Sequence, residues 1–179
     1  MTGRTGTKTL KTQRLVLRKI LPHDYFEASR WYTNPEIAEF MIGKKPLSKF
    51  QVFRLTAGRL IKYANKSYYY WAIVYDGKMR GLVELIPVKD RDDVFALHYK
   101  LDMKLKNKGI TTEAVSAVIE YCKTQSMTGL IAMCDADNIG SERVMQKAGM
   151  VQYGDVNTNK PFEYADGTTG KKLCYKIKF

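Results

Sequence analysis

The sequence predicts an α+β domain in which a mixed, mostly antiparallel sheet of about seven strands is flanked by about four helices. Three observations predict it. Segments 68–75 and 78–88 flank Asp76-Gly77, a two-residue hairpin signal. Residues 111–125 place Ala114, Val115, Val118, Ile119 and Cys122 on one face of an amphipathic helix. The closing segment 171–179 alternates Leu173, Tyr175, Ile177 and Phe179, the pattern of a half-buried strand.

Residues 1–11 are polar and basic with no apolar run, so they read as a flexible arm and not as a secretory signal. Arg14-Leu15-Val16-Leu17-Arg18 alternates and predicts a first strand. Pro22-His23-Asp24 breaks it, with Asp24 as N-cap of a short helix to Trp31. Asn34-Pro35 marks a turn or a second helix start. Ser48 caps a longer helix to about residue 65, with Val52, Phe53, Leu60, Ile61 and Ala64 at helical spacing. In strand 68–75, Tyr68 and Tyr70 share one face while Tyr69 and Trp71 share the other, so one half of the cluster is core and the other can meet substrate. A polar turn at 90–93 leads to a strand over 94–102. Beyond the helix at 111–125 come a short buried strand at 130–134, a helix at 141–148 ended by Gly149, and a strand at 150–156. No repeat, low-complexity tract or linker divides the 179 residues, a length that suits one domain.

Composition narrows the function classes. Thirty Lys and Arg against 18 Asp and Glu give a net charge of +12. A positive field suits a nucleic-acid backbone, a polyphosphate cofactor or an acidic substrate, but these charges are dispersed, as on an ordinary solvated surface. No RNA-binding signature accompanies Tyr68-Tyr69-Tyr70-Trp71, and no nucleic-acid partner is expected. Cys122, Cys134 and Cys174 match no zinc or redox spacing and only His23 and His98 are present, so no metal site is expected. No apolar run approaches the roughly 20 residues that span a bilayer. The expectation is a cytoplasmic protein with reduced, mostly buried thiols, off the membrane, monomeric or homodimeric.

The stretch Lys106-Asn107-Lys108-Gly109-Ile110-Thr111-Thr112-Glu113-Ala114 carries the chemistry. A strand ends, a glycine-containing loop turns, and a helix begins. The first amides of a helix have no intrahelical partner and sit at the positive end of its dipole, while Gly109 permits close approach. With Lys104, Lys106 and Lys108 nearby, this is a phosphate cradle or, more plainly, a strand-to-helix turn bearing surface lysines.

The segment from Tyr99 through Ala114 resembles the central motif of the GNAT N-acetyltransferases, Arg/Gln-x-x-Gly-x-Gly/Ala followed by Thr-Glu-Ala. Asn138-Ile139-Gly140-Ser141, continuing to Lys147-Ala148-Gly149-Met150, is similar to that family's Asn-x-x-Ser segment ending in Lys-x-Gly-Phe. Thr12-Gln13-Arg14-Leu15-Val16-Leu17-Arg18 looks like the start of its ribosomal-protein (Rim-type) branch. The chain departs from the pattern at Lys106, where Arg or Gln is preferred, at Thr111, where Gly or Ala is usual, and at His98, where a small residue is usual.

The resemblance implies a single acyl-CoA N-acyltransferase domain over residues 12–179, with acetyl-CoA as acyl donor and an amine as acceptor. It implies a sheet splayed between the strands ending near Asp102 and Cys134, with the pantetheine arm in the gap. Cofactor contacts fall on Leu101, Asp102, Met103, Lys106, Asn107, Lys108, Gly109, Ile110, Thr111, Thr112, Asn138, Ser141 and Arg143. A backbone N–H within 101–103 would stabilise the oxyanion. Many family members protonate the departing thiolate with a Tyr on the helix after the Asn. Met145 stands there, so Ser141 becomes the proton donor, unless it only caps its helix. Glu84, an acid inside the mostly apolar segment 81–86, ranks first as general base and His98 second. The implied reaction is direct attack of a primary amine on acetyl-CoA, with a protein N-terminal amine as acceptor. The alternatives are a small-molecule amine or a non-catalytic acyl-CoA-binding module. The positive charge disfavours polyamines unless Glu36, Glu39 and Glu84 form an acidic pocket.

Overall fold

The protein is represented by a computed structural model that describes residues 5–38, 45–155, 162–163 and 169–179. Residues 5–11 are not a free arm, which corrects the sequence expectation; residues 1–4 lie outside the described residues. β1 (Leu10–Lys11) pairs antiparallel with β2 (Val16–Arg18), Leu10 opposite Leu17. Just upstream, Thr7 is buried and its Oγ1 accepts the Tyr70 amide at 3.1 Å, while the Lys8 carbonyl accepts Trp71 Nε1 at 2.8 Å. The Thr5 hydroxyl lies 2.9 Å from the Tyr121 hydroxyl. Buried Trp and Tyr need partners for their polar tips, and this segment provides them.

α1 (Asp24–Tyr32) has His23, not Asp24, at its N-cap. The Asp24 carboxylate instead accepts the Leu21 amide at 2.7 Å and two bonds from Arg18, at 2.7 and 2.9 Å. α2 is the single turn Pro35–Ala38. α3 (Lys49–Lys62) starts at Ser48 with a complete capping box to Gln51. β3 (Tyr69–Tyr75) and β4 (Lys78–Val88) meet at Asp76-Gly77, both with positive φ, 50° and 69°. β5 (Arg91–Leu101) begins earlier than expected because the turn is the pair Lys89-Asp90, with Asp90 at φ 61°. Then follow α4 (Ile110–Lys123), β6 (Gly129–Asp135), α5 (Ile139–Lys147), β7 (Val151–Asp155), the short ribbon β8 (Phe162–Glu163) and β9 (Thr169–Gly170), and β10 (Lys172–Lys178). Val156, expected in the strand at 150–156, lies outside the described residues.

The described strands form an eight-stranded sheet in the order β1-β2-β3-β4-β5-β6-β10-β7, antiparallel except between β5 and β6. Helices cover both faces. On one, Tyr69, Trp71, Val83, Phe95 and Leu97 pack with Ala114, Val118 and Ile119 of α4 and Met145 of α5. On the other, Tyr70, Ala72 and Leu82 pack with Trp31, Tyr32 and Val52 of α1 and α3. Tyr69, Tyr70 and Trp71 are therefore all core, and of the aromatic cluster Tyr68 alone is half-buried. Cys122, Cys134 and Cys174 are buried thiols. No helix among the described residues is long and apolar enough to cross a membrane.

Candidate active site

The site lies where β5 and β6 part. These strands pair at Val94–Gly129, Phe95–Leu130 and Ala96–Ile131, and the ladder stops there, although β5 runs on to Leu101 and β6 to Asp135. A wedge opens between them. The Asp102 amide donates to the Arg80 carbonyl at 2.6 Å, on the β4 side. Successive strand amides point to opposite edges, so the Leu101 N–H points into the wedge. Gly81, opposite Leu101, permits this crowding: a Cβ there would stand 2.4 Å from the Lys100 carbonyl oxygen. Asp102 itself is structural. Its side chain accepts the Lys104 amide at 3.1 Å and Arg80 at 3.3 Å, capping the 3-10 turn Met103–Leu105.

Beyond that turn the chain makes the cradle. Asn107 and Gly109 both adopt left-handed backbone, φ 63° and 72°, and Gly109 serves as N-cap of α4 without any side-chain cap. The first intrahelical bond comes from Glu113 N–H to the Gly109 carbonyl, at 3.0 Å. The amides of Ile110, Thr111 and Thr112 precede it and are directed at the loop. The Ile110 side chain is core, so only its amide belongs to the site. Lys106, Asn107 and Lys108 are exposed around the mouth.

Arg14, from the opening segment of the chain, helps to build this loop. Its Nε donates to Glu113 Oε2 at 2.6 Å and one terminal nitrogen to the Lys108 carbonyl at 2.9 Å. Its other terminal nitrogen would be 3.5 Å from a Cβ on Gly109. Glu113 also accepts the Arg14 amide and the Thr12 hydroxyl. Burial opposes its ionisation, but these donors prevail and hold its carboxyl below the usual range. Periodicity could not reveal a bond between residues 99 positions apart.

Across the wedge stands α5. Asn138 is its N-cap, its Oδ1 accepting the Ser141 amide at 3.0 Å, so Ser141 is not the cap. The Ser141 hydroxyl is left for other partners: Tyr99 Oη lies 2.8 Å from its Oγ and 2.9 Å from its carbonyl oxygen. Cys134 shares this cluster through a side-chain hydrogen bond with Ser141, and burial pushes its thiol up to about 11. Arg143 is exposed on α5.

Glu84 and His98 oppose each other in the β4–β5 register, on the α1/α3 face. The structure thus separates them from Ser141, which meets the sheet on the α4/α5 face. Glu84 is buried and receives Arg59 Nε at 2.7 Å; Arg59 also reaches the Tyr32 hydroxyl at 3.2 Å. Burial works to raise the Glu84 pKa, but Arg59 and Lys100 overcome it and the net shift is downward. His98 is exposed. Partial desolvation by its neighbours pushes its pKa down, Glu84 opposes this, and Lys100 reinforces it. Glu84 is thus a carboxylate paired with Arg59, whereas the His98 shift favours the neutral imidazole. Among the described residues no cluster of three or more His, Cys, Asp or Glu is placed to hold a metal.

Residues 14–151 match the family described as the acetyltransferase (GNAT) domain. A relative, the uncharacterized N-acetyltransferase YnaD of Bacillus subtilis (strain 168), is 34% identical over 64 residues, and the match spans 35% of this chain and 38% of YnaD. In fold the chain is similar to RimL, a ribosomal L7/L12 α-N-protein acetyltransferase in complex with coenzyme A. The TM-score is 0.84 at 14% identity, over 96% of this chain and 98% of that one. It is also similar to the microcin C7 self-immunity acetyltransferase MccE in complex with acetyl-CoA and AMP. There the TM-score is 0.82 at 17% identity, over 94% of each chain.

Proposed function

Because the chain belongs to the acetyltransferase (GNAT) domain family, we propose that it moves an acetyl group from acetyl-CoA to a primary amine, by direct attack in a ternary complex. The observation that carries this reading is the meeting of two features at the end of β5: a wedge with an inward-pointing amide at Leu101 and a helix start whose first amides face the adjoining loop. The residues fit the donor. Amides 110–112, with Lys106, Lys108 and the outer nitrogen of Arg14, suit a pyrophosphate. The wedge suits the extended pantetheine arm, with Asn138 at its side.

Bound acetyl-CoA supplies a thioester, and the residues around the wedge handle charge and protons. The Leu101 N–H donates to the carbonyl oxygen as it becomes negative. His98 takes the proton that the amine must lose, since an alkyl ammonium has a pKa of about 10.4. Ser141 offers its hydroxyl to the departing sulfur. The sheet keeps base and donor on opposite faces, so the amine approaches from the α1/α3 side while sulfur leaves toward α5.

The acceptor in this reading is a protein N-terminal amine, with a small monoamine as the second choice. The Rim-like opening and the likeness to RimL favour the first. Titration calorimetry with acetyl-CoA at low salt is expected to give one site per chain. A thiol-release screen over N-terminal peptides and small amines is expected to show turnover with the peptides. Absence of both heat and turnover overturns the reading; heat without turnover on any amine leaves an acyl-CoA-binding module.

A further inference from the structure

The Tyr99 hydroxyl reaches α5, where it has two acceptors and one proton. Oη is 2.9 Å from the Ser141 carbonyl, which can only accept, and 2.8 Å from Ser141 Oγ, which can donate or accept. The bookkeeping of hydrogens leaves two states. In one, Tyr99 donates to the carbonyl and Ser141 donates to Tyr99, so the serine hydrogen is turned away from the wedge. In the other, Tyr99 donates to Oγ and the serine hydrogen is released to a third partner. The Ser141 carbonyl tolerates either state, because as a helical carbonyl it has its own α5 acceptor duty with Met145.

We infer that Tyr99 is a positioning residue that sets the direction of the Ser141 hydrogen, switching its own donation from the carbonyl to Oγ so that Ser141 can donate to the departing sulfur. The inference rests on the assignment of Ser141 as that donor. No further bond is made: the C–S electron pair leaves on sulfur, and Ser141 and Tyr99 each contribute one hydrogen bond. Tyr99 is suited to stay a donor, since burial holds its phenol well above the usual tyrosine value against the opposing bond from Ser141. Cys134, the other neighbour of Ser141, is protonated at neutral pH, so its sulfur is only a weak acceptor for the Ser141 hydrogen. Tyr99 is held rigidly for the task, on a strand whose side chain packs against the core under α4 and α5.

The test uses Tyr99→Phe, Ser141→Ala and the double variant with two readouts. The first is the pKa of the thiol of bound CoA, followed by thiolate ultraviolet absorbance. The second is single-turnover acetyl transfer with its solvent deuterium isotope effect. Donation to sulfur lowers the bound thiol pKa, so it is expected to rise in Tyr99→Phe, rise further in Ser141→Ala, and rise no more in the double variant. Transfer is expected to fall about tenfold in Tyr99→Phe, the worth of one ordinary hydrogen bond. It should fall about a hundredfold in Ser141→Ala, the low end for losing a positioned donor to developing negative charge. Affinity for CoA in its thiol form should fall much less than transfer does in each. If Ser141→Ala moves neither readout, the assignment of Ser141 fails. If Ser141→Ala moves both and Tyr99→Phe moves neither, Tyr99 has no positioning role. Additive losses in the double variant also overturn the inference, because Tyr99 then acts without Ser141.

Discussion

At the scale of single residues, the Arg59–Glu84 pair decides what each acid and base can do. Both side chains are about nine-tenths buried, 10% and 8% exposed, and their atoms meet at 2.7 Å. Removing one charge from such a pair strands the other, so Glu84→Gln is expected to cost about 3–5 kcal/mol of stability, read by denaturant unfolding. The sign with pH follows. The folded Glu84 pKa lies below the ordinary glutamate value, so the pair's contribution is present above that value and is lost as pH falls through the folded one. A loss under 1 kcal/mol means the pair is not formed. His98 behaves differently. It must be neutral to accept a proton, and its pKa is below 6.5, so the acidic limb of the pH–rate profile should have its midpoint below pH 6.5. His98→Gln should remove that limb and a folded Glu84→Gln preparation should keep it. The opposite outcome returns the base to Glu84.

At the scale of elements, the loop before α4 combines a strained turn with a helix start. Gly109 has φ 72°, where a side chain costs about 1–2 kcal/mol, so Gly109→Ala should lower stability by that amount and weaken CoA binding. Lys106→Glu should weaken binding without affecting the fold, by a margin that shrinks with salt because the side chain is exposed. Comparing CoA with dephospho-CoA locates the charge. Equal loss means the pyrophosphate, and loss for CoA alone means the 3′-phosphate. An affinity unchanged in both makes Lys106 a surface lysine. This loop was legible in the sequence because its logic is local: strand end, glycine, helix start within ten residues. The hairpin and the Ser48 cap were legible for the same reason. What was not legible joins distant positions. Thr7 and Lys8 satisfy Tyr70 and Trp71, Arg14 ties Glu113 to Lys108, and Tyr99 meets Ser141 across the wedge. Glu84 stands out in the sequence as an acid in an apolar strand. Its partner, 25 positions away, makes that acid half of a buried ion pair.

At the scale of the molecule, charge constrains the acceptor. The chain carries +12, and the α1/α3 face through which the amine would approach holds Lys100, with its Nζ 5.9 Å from the Tyr32 ring centre, as well as Lys62, 4.8 Å from that of Tyr68. An acidic pocket from Glu36, Glu39 and Glu84 was the way for a polycation to overcome this field. Glu84 is neutralised by Arg59, Glu36 is exposed on α2, and Glu39 lies outside the described residues. Among the described residues, Lys62 and Lys100 on this face add to the global field. A polyamine is slowed before encounter, whereas a peptide N-terminus followed by neutral or acidic residues is not, and the difference belongs mainly to the association rate. In competition at matched concentrations, such peptides should outcompete spermidine at low salt, with the preference narrowing as ionic strength rises and screening shortens the field. Charge-reversing Lys100→Glu should narrow it as well, through KM for the acceptor with little change for acetyl-CoA. A spermidine preference that grows as salt is lowered would mean that an acidic surface near the acceptor outweighs the +12, and the enzyme would then be a polyamine acetyltransferase.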